Sequence, residues 1–584
     1  MNTHTAHTRL QSSHRQLVKR HSGIAFIFLL LVFTSRDGNA QDAAPTGRVP
    51  YPGSVNLKLD ESQFHTQTLY TFTLDQNAQM NLVFSLNMRN EDALKDAVSK
   101  GKVISLNDMK EKYFPSQDDY DLLCNWLEKQ GFKITKANNR LSVYATGSIT
   151  VIQKSLGVSI GHVTAKDVTY NAAVTTPSLP ADVARVVKGI TGLQPFLNQM
   201  HPNSMVQPED AGSASADTSS TRSQPFMVKD ILAAYHANGL RVNGAGETIA
   251  IVVDLLPNHD DLTAFWKRNN LPVTISQIQE VNTTGSPLVT PSGTAPGGLP
   301  FDFETTLDTE WASGMAPGAN IVIFASGTFE PGHLENALDK VMDNLPSMPS
   351  LHQISMSFGG PECFFSQDYM VAMNDKLLVL EGLGINIFAS SGDAGSSPGQ
   401  DGHSPGAILS TEFPACDPYV IGVGGTNLKL DHFSGQVISE TAWNGSGGGI
   451  SIIQGRPDWQ RSGNDNPGVP SGNTRLVPDV SLAALSPYVV LHGTDNWNSA
   501  GTSWSTPMWC GFCALINQSR EKAGKPPVAF LPPLIYPRME TNAFRDIITG
   551  SNGSNHHYDA GPGYDMVTGI GVPSMADLIQ ALSQ

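Results

Sequence analysis

The sequence predicts an α/β protein made of two folded parts, the larger of which contains a doubly wound parallel sheet. After Phe226, continuous apolar strands alternate with helical segments, and such strands are normally covered by helices on both faces. Before residue 203, shorter strands and helices are mixed as in a ferredoxin-like sandwich. A chain of 584 residues is also too long for one ordinary domain.

The N-terminal part, residues 41–202, has the element order of such a sandwich. A strand at Met80–Leu86 precedes helices at Glu91–Lys100 and Asp118–Lys129, and a further helix is expected after Gly147. Between the helices we expect a hairpin. Its strands are Phe132–Thr135 and Leu141–Ala145.

The C-terminal part, residues 226–584, contains four fully apolar strands that we expect in the parallel sheet. Ligands bind such sheets at the carboxyl ends of the strands, where the loops lie. Functional residues are therefore expected at that edge. The strands are Glu247–Val253, Asn320–Ala325, Ile385–Ser390 and Tyr419–Val423.

Residues 203–225 join the two parts and differ from both in composition. The segment is poor in apolar residues and lacks periodicity, which is typical of an exposed linker open to proteolysis. A folded unit, a cleavable linker and a large domain give the layout of a zymogen, which a plain two-domain protein would share. The sequence does not locate a cleaved bond between Asn203 and Phe226.

Residues 1–40 have the features of a secretory signal peptide. Basic residues without acids precede the apolar run Ile24–Phe33, which is too short to span a bilayer, and Ala40 offers a small residue for cleavage. A membrane anchor is the alternative interpretation. We expect secretion, with a periplasm on the route left open, and no membrane contact once the signal is removed.

The composition limits which binding partners are expected. The formal net charge of −16 argues against nucleic acids, whose phosphates need clustered Lys and Arg, and it is compatible with low pH.

Cys124 is predicted to be a buried free thiol. No second pair accompanies Cys510 and Cys513, so we expect no zinc site. A disulfide between Cys363 and Cys416 stays open, and a monomer is expected.

The candidate nucleophile is Ser503. Gly501 permits a tight turn before it and Pro507 suits the first turn of a helix, so its hydroxyl would lie in a cleft at a helix N-terminus. An ordinary junction between a loop and a helix would use the same residues. A catalytic role therefore also requires a base and an oxyanion site.

Three carboxylates could complete such a site. Glu304 and Asp308 lie four residues apart on one face of a predicted helix, where they could share a proton and let Glu304 act as a general base. Asp393 follows a buried strand, where a protonated carboxyl group could donate to an oxyanion. The alternative for Glu304 and Asp308 is a solvated acidic helix face, and the alternative for Asp393 is a simple turn. We expect Glu310 to be a surface acid.

Two further residues resemble catalytic groups but stand in the wrong order. Asp254 ends a strand and His492 precedes a glycine, as in the Asp and His motifs of subtilisins, yet His492 comes only eleven residues before Ser503. We expect His492 to be a surface or loop residue and Asp254 to have no catalytic role.

Together, these motifs resemble the sedolisin family, the serine-carboxyl peptidases. The N-terminal part is similar to the pro-kumamolisin-type activation propeptide of that family. The motifs are Glu304-x-x-x-Asp308, Ser390-Ser-Gly-Asp393 and Gly501-Thr-Ser503, with Ser355–Gly359 and Gly422–Thr426 in agreement.

The resemblance implies a subtilisin-like catalytic domain in which Ser503 is the nucleophile and Glu304 the base. Asp308 would hold Glu304, and Asp393 would stabilise the oxyanion of an acyl-enzyme mechanism. It also implies activity at acid pH and a self-processing zymogen, whose propeptide is an intramolecular inhibitor and chaperone. Ser355–Gly359 would pair with the substrate backbone.

The resemblance further implies one structural Ca²⁺ ion near the C-terminus. Oxygen donors suit a hard cation, and its binding would stabilise the folded state. The implied ligands are the side chains of Asp546 and Asp565 with the carbonyls of Ile547, Gly561 and Gly563.

The sequence thus predicts a secreted, acid-acting, calcium-stabilised serine-carboxyl endopeptidase that is made as a self-processing zymogen and hydrolyses proteins or peptides. Two alternatives stay open. One is a tripeptidyl-peptidase of the same family, and the other is a non-catalytic binding protein on this fold.

Overall fold

The computed structural model of the chain describes most residues from Gly47 onwards. The predicted signal peptide, residues 1–40, lies outside the described part. None of the described helices combines the length and apolar character needed to cross a membrane. The described residues are 47–57, 67–69, 74–165, 168–207, 225–431, 434–461, 463, 466, 468–496, 498–553 and 557–584.

The N-terminal part forms a four-stranded antiparallel sheet covered by helices, which confirms the ferredoxin-like prediction. Every second residue of the central strand from Met80 to Leu86 faces a core shared with the helix Gln117–Gln130, because side chains alternate across a strand. The strand order is Lys133–Lys136, Ser142–Ser148, Gln79–Leu86, Val187–Thr191. The helices are Glu91–Ser99, Leu106–Asp108 continued by the π-helical Met109–Tyr113, Gln117–Gln130, Ile149–Leu156 and Ala181–Ala184.

The helix Gln117–Gln130 shows how local sequence fixes the ends of an element. At its N-terminus the Ser116 hydroxyl accepts a hydrogen bond from the Asp119 backbone N–H (3.1 Å). At its C-terminus Gly131 adopts a φ of 98°, which side chains disfavour. Cys124 lies on the buried face as a free thiol, as predicted.

Smaller sheets flank this sandwich. The strand Arg48–Pro50 pairs with Ser178–Pro180, and Gln67–Leu69 pairs with Ile160–Ala165, which also pairs with Val168–Ala173.

The C-terminal part is built on an eight-stranded sheet that is parallel except for one strand. The predicted strands are all present, and the fourth extends further than predicted, to Leu430. Along the sheet the strands are Ile278–Asn282, Asn320–Ala325, Thr248–Val253, Leu351–Met356, Asn386–Ser390, Ile421–Leu430 and the antiparallel Val437–Ala442, with Val480–Ala483 paired to Ile421–Leu430.

Helices cover both faces of this sheet, as expected for continuous apolar strands. Ile249 and Ile251 pack into one core, and Ala250 and Val252 of the same strand pack into the other. The helices of the first core include Phe303–Met315 and Thr502–Lys522, and those of the second include Pro331–Asn344 and Gln367–Gly382. The remaining helices are Val228–Ala234, His259–Arg268, Pro532–Ile535 and Met575–Ser583.

Short strand pairs complete the C-terminal part. They are Gly449–Gly455 with Thr474–Val477, Val489–Leu491 with Thr494–Asn496, Phe544–Arg545 with Val572–Pro573, Ser551–Asn552 with Tyr558–Asp559, and Phe358–Pro361 with Glu412–Phe413.

The two parts contact each other through buried polar groups. Lys376 and Asp339 form a fully buried ion pair (2.5 Å), and the Tyr144 hydroxyl of the N-terminal part donates to Asp339 (2.6 Å). Lys188 of the N-terminal part lies 2.7 Å from Asp375. Because a buried charge is costly without its partner, these contacts fix how the two parts dock.

Candidate active site

The three predicted catalytic segments meet at the carboxyl edge of the parallel sheet. Thr248–Val253 is its first strand in the sequence and has later strands on both sides, so the strand order reverses there. Glu304 lies in the first turn of the helix beside this strand. Asp393 follows the strand Asn386–Ser390, and Ser503 opens the helix Thr502–Lys522.

Ser503 is fully buried, and its carbonyl and hydroxyl groups are both engaged. Pro507 is the sixth residue of the helix rather than part of its first turn, and it has no N–H to donate to the carbonyl of Ser503. That carbonyl instead accepts from the Ser357 hydroxyl at 3.4 Å. The Ser503 hydroxyl lies 3.2 Å from the carbonyl oxygen of Ser357.

Glu304 and Asp308 form a buried carboxyl pair rather than a solvated acidic face. They are 2% and 0% exposed. One oxygen of Glu304 accepts from the Ser204 hydroxyl (2.5 Å), and one of Asp308 accepts from the Ser357 hydroxyl (2.7 Å). Their other oxygens have no hydrogen-bond partner in the described part of the chain.

Burial makes this pair unusually basic. It raises the pKa of Glu304 to about 8, although the nearby hydroxyls of Ser204 and Ser503 oppose the rise. The pKa of Asp308 is raised well above its ordinary value by burial and then by the charge of Glu304. Two adjacent carboxylates repel each other, so the pair keeps one proton rather than ionising fully. The ionised member of the pair can still accept another proton.

Asp393 is a buried acid with one oxygen free of hydrogen bonds. Its Oδ1 accepts from the backbone N–H (2.8 Å) and hydroxyl (3.0 Å) of Thr502. Its Oδ2 has no partner among the residues that the structure describes. Burial raises the pKa of Asp393 well above its ordinary value, so a proton on Oδ2 is favoured.

Two residues that we expect at the surface, Glu310 and His492, differ in burial. The prediction for Glu310 is wrong, because the helix Phe303–Met315 is buried on every side, and Glu310 accepts from the Val490 N–H at 3.2 Å. His492 is exposed and lies 2.7 Å from Asp302, as expected of a surface residue.

Asp254 lies close to the carboxyl pair of Glu304 and Asp308, which its sequence position alone does not suggest. It is 6% exposed, and its charge raises the pKa of both Glu304 and Asp308. Burial raises its own pKa to about 7. The signal that could have placed it is its position at the carboxyl end of the first strand, on the same edge as the other acids.

The chain between the two parts runs through this site. His201–Pro202 pairs antiparallel with Phe358–Pro361, and Met205–Val206 pairs antiparallel with Ser499–Ala500. Between these short strands, the carbonyl oxygen of Asn203 accepts from the Ser503 backbone N–H at 3.0 Å.

Residues 203 and 204 are therefore not exposed, contrary to the expectation for the linker. Asn203 is 0% exposed and Ser204 is 3% exposed, because flanking residues are paired with strands on both sides of the site. The described linker ends at Gln207, whose N–H donates to the carbonyl of Asn498 at 3.1 Å. An extended segment that adds to strand edges is a common mode of peptide recognition.

Comparison with known proteins identifies the family. The family model "Pro-kumamolisin, activation domain" matches residues 67–196, and the subtilase family model matches residues 294–561. Kumamolisin from Bacillus sp. (strain MN-32) is 31% identical over 488 residues, which cover 80% of this chain and 83% of kumamolisin. The chain belongs to the sedolisin family.

Further relatives and a solved structure agree. Physarolisin from Physarum polycephalum is 26% identical over 86% of this chain and 93% of its own length. Tripeptidyl-peptidase 1 from Mus musculus is 27% identical over 87% of this chain and 92% of its own length. The structure of Pseudomonas sedolisin complexed with pseudo-iodotyrostatin has a TM-score of 0.51 and 24% identity, covers 61% of this chain and 97% of that one, and shows the fold.

The chain is thus a serine-type peptidase of the sedolisin family with an N-terminal activation domain. Both parts of the sequence-based resemblance are confirmed, the peptidase family and its propeptide.

The predicted calcium ligands of this peptidase converge on one loop. The Gly563 N–H donates to Asp546 (2.8 Å), and the Gly561 N–H donates to Asp565 (3.1 Å). Oδ1 of Asp546 is buried without a hydrogen-bond partner among the described residues. Burial raises the pKa of Asp565 to about 6 and also raises that of Asp546. Two carboxyl groups that lie against one glycine loop, with no ion pair to a basic residue among the described residues, fit a cation.

The cysteines of the peptidase domain form no disulfide within the described residues. Cys363, Cys416, Cys510 and Cys513 are all free, and the last three are buried. The disulfide between Cys363 and Cys416 that the sequence leaves open is therefore not formed.

Proposed function

We propose that this peptidase is a secreted, acid-acting endopeptidase that works through an acyl-enzyme and processes its own zymogen. The observation that carries the proposal is the position of Asn203. Its carbonyl oxygen accepts from the Ser503 N–H at 3.0 Å, while the next residue, Ser204, hydrogen-bonds to Glu304. A peptide bond thus lies between the candidate nucleophile and the candidate base.

In the proposed reaction, Ser503 attacks the carbonyl carbon of Asn203 while Glu304 takes the hydroxyl proton. The oxyanion is held by the Ser503 N–H and by a proton on Oδ2 of Asp393. Collapse breaks the Asn203–Ser204 bond, and Glu304 returns the proton to the amine of Ser204. Water then hydrolyses the ester, again with Glu304 as base, and Asp308 holds the proton that the pair shares.

Acid action is consistent with the state of Asp393. Burial raises the pKa of this residue well above its ordinary value. Only the protonated carboxyl group can donate to an oxyanion, so raising the pH through the pKa of Asp393 removes the donor. At the low end of the pH range, protonation of Glu304 removes the base, so activity should fall on both sides of an optimum.

Endopeptidase rather than tripeptidyl-peptidase action is supported by the course of the chain. The third residue before the Asn203–Ser204 bond is His201, and the chain continues beyond it through Met200 and Gln199. The carbonyl of Gln199 lies beside Gly360, where an added Cβ would be 2.5 Å from it. This course leaves room beside Gly360 for residues beyond the third, which supports endopeptidase action. Product mapping on an N-terminally blocked peptide tests this, because release of tripeptides alone would contradict it.

The proposal is tested with the purified precursor and its Ser503→Ala variant, incubated from neutral to acid pH. Wild type should lose its N-terminal part at acid pH and acquire a new N-terminus at Ser204, whereas Ser503→Ala should stay intact. Ser505→Ala is the matched control, since the Ser505 hydroxyl only donates to the carbonyls of Leu482 and Ala483. Equal processing by Ser503→Ala would contradict the proposal.

Secretion is proposed from residues 1–40 of the sequence. The Ser503→Ala precursor, produced in a secreting host, should be recovered outside the cells with Gln41 as its first residue. Retention of residues 1–40 on a cell-bound protein would contradict this part.

One structural Ca²⁺ ion is part of the proposal, held by the side chains of Asp546 and Asp565 and by carbonyls of the neighbouring loop. Its support is the convergence of both carboxyl groups on residues 561–563. A chelator should lower the Tm, and excess Ca²⁺ should restore it. At a hundredfold excess over Kd, the bound ion should add about 2.7 kcal/mol to the free energy of unfolding. Asp546→Asn should abolish this dependence. A Tm unaffected by chelation would contradict the site.

A further inference from the structure

The side chain of Asn203 enters a closed polar pocket next to Ser503. Its Nδ2 donates to the Ser390 hydroxyl (2.8 Å), to a carboxyl oxygen of Glu412 (3.2 Å) and to the carbonyl of Ser390 (3.4 Å). Asn203, Ser390 and Glu412 are each at most 1% exposed. The pocket is therefore closed to bulk solvent, and its polar groups depend on the side chain that fills it.

Two glycines form the walls of this pocket, and the space between them is filled. A Cβ added to Gly359 would lie 2.7 Å from Glu412 Oε2 and 3.2 Å from Asn203 Nδ2. A Cβ on Gly392 would lie 2.5 Å from the carboxyl carbon of Glu412. Both contacts are closer than atoms tolerate, so a side chain at either glycine would displace Glu412, and the pocket has little room to spare.

We propose that Ser390 and Glu412 make this enzyme cleave peptides after asparagine. The inference rests on the proposed function, because the pocket receives the residue before the cleaved bond only if Ser503 attacks the carbonyl that it contacts. Glu412 lies outside the motifs that sequence reasoning connects with catalysis, and its role is to position and select the substrate.

Chemistry favours asparagine over other residues at this position. An apolar side chain would leave the buried oxygens of Glu412 and Ser390 without a donor, and sites built to hydrogen-bond a substrate reject analogues that lack the group. As a carboxylate, aspartate would place an acceptor against the Ser390 carbonyl, which can only accept. Nδ2 of asparagine already lies at hydrogen-bond distance from Glu412, so the head groups of glutamine, lysine and arginine would overlap it.

The state of Glu412 suits a carboxamide partner. Burial raises the pKa of Glu412 to about 8, so this group is a neutral carboxylic acid at low pH. Oε1 of Glu412 and Oδ1 of Asn203 are both buried and lack hydrogen-bond partners among the described residues. A carboxylic acid can donate and accept at once, as a carboxamide can, so the two groups are complementary.

The test uses the acid-processed enzyme and blocked peptides that differ only in the residue before the cleaved bond. The kcat/KM for asparagine should exceed that for aspartate, glutamine, leucine and lysine by about tenfold or more. Glu412→Gln keeps a donor and an acceptor and should keep the preference. Glu412→Leu should lose it. Glu381→Gln, a change at a buried acid on the helix Gln367–Gly382 away from the pocket, is the matched control.

A swap in the precursor tests the same pocket without added substrate. Asn203→Leu should slow self-processing about tenfold or more, and adding Glu412→Leu should restore much of the rate by matching an apolar side chain to an apolar pocket. If Glu412→Leu does not fold, Ser390→Ala, which removes one acceptor only, should still lower the preference for asparagine several-fold.

The outcomes separate this inference from the proposed function. Cleavage of peptides without a preference for asparagine, or an unchanged preference in Glu412→Leu and Ser390→Ala, would overturn the inference and leave the proposed function standing. Failure of the wild type to cleave any peptide would overturn the proposed function, and the inference with it.

Discussion

At the scale of the residue, Asp393 holds its two carboxyl oxygens in different surroundings. Oδ1 accepts two hydrogen bonds from Thr502, whereas Oδ2 lies in a buried space beside the path of the peptide. A Cβ on Gly501 would be 3.0 Å from Oδ2 and 2.3 Å from the carbonyl oxygen of Asn203, so the two oxygens border the same space. In the proposed reaction, a proton on Oδ2 would therefore face the charge that develops there.

Asp393→Ala should lower kcat by about a hundredfold to a thousandfold, the usual effect of removing one oxyanion donor. KM should change little, because the interaction strengthens only in the transition state. Both constants are measured on one blocked peptide, with Asp495→Ala in the hairpin Val489–Asn496 as a control. A rise in KM at constant kcat would show that Asp393 binds substrate and leaves the oxyanion alone.

The same scale shows what sequence spacing can and cannot predict. The spacing of Glu304 and Asp308 puts them on one helix face, and the structure brings them together with Ser503. Spacing cannot show that Glu310 is buried, because the helix Phe303–Met315 is enclosed on all sides by other elements. Periodicity identifies a buried face only where another face meets solvent.

At the scale of the element, the site depends on two strand edges that leave room for a third chain. Gly501 lies where the peptide passes between Phe358–Pro361 and Ser499–Ala500, with its φ at 161° in ordinary extended backbone. A side chain at this position is therefore excluded by the peptide and not by the backbone. Asn203 and Ser204 are the residues that an added Cβ would meet.

Gly501→Ala should abolish self-processing and lower kcat/KM on peptides by about a hundredfold, while the protein still folds. The added Cβ would lie 2.3 Å from the Asn203 carbonyl oxygen, so a peptide could not take up its position at Ser503. Gly455→Ala, where a Cβ meets nothing within 4 Å, is the matched control. Normal processing of Gly501→Ala would mean that the peptide follows another path.

Strands were predictable from the sequence where apolar residues run together, and the course of the linker was not. The strands Thr248–Val253 and Asn320–Ala325 are continuous apolar runs, so their existence and burial follow from composition. The segment from Asn203 to Gln207 has no such pattern, and its burial comes from pairing with strands far away in sequence. Likewise, nothing near Glu412 in the sequence indicates that it borders Asn203.

At the scale of the whole molecule, buried carboxyl groups accumulate at the site and at the contact between the two parts. Burial raises the pKa of Glu304 and Glu412 to about 8, and those of Asp254 and Glu335 to about 7. In an unfolded chain these groups would titrate near their ordinary values of about 4. The folded state therefore binds more protons than the unfolded state between about pH 4 and 8.

This difference fixes the sign of the pH dependence of stability. A group whose pKa is raised on folding contributes stability that is complete below its unfolded pKa and is lost as the pH rises through its folded pKa. The Ser503→Ala precursor, which cannot digest itself, should thus show a Tm several degrees lower at about pH 8 than at about pH 5. Calorimetry in buffers of equal ionic strength measures it. Glu335→Gln removes one of the titrating groups and should flatten the slope, whereas a Tm that climbs from pH 5 to pH 8 would show that these acids are ionised in the folded protein.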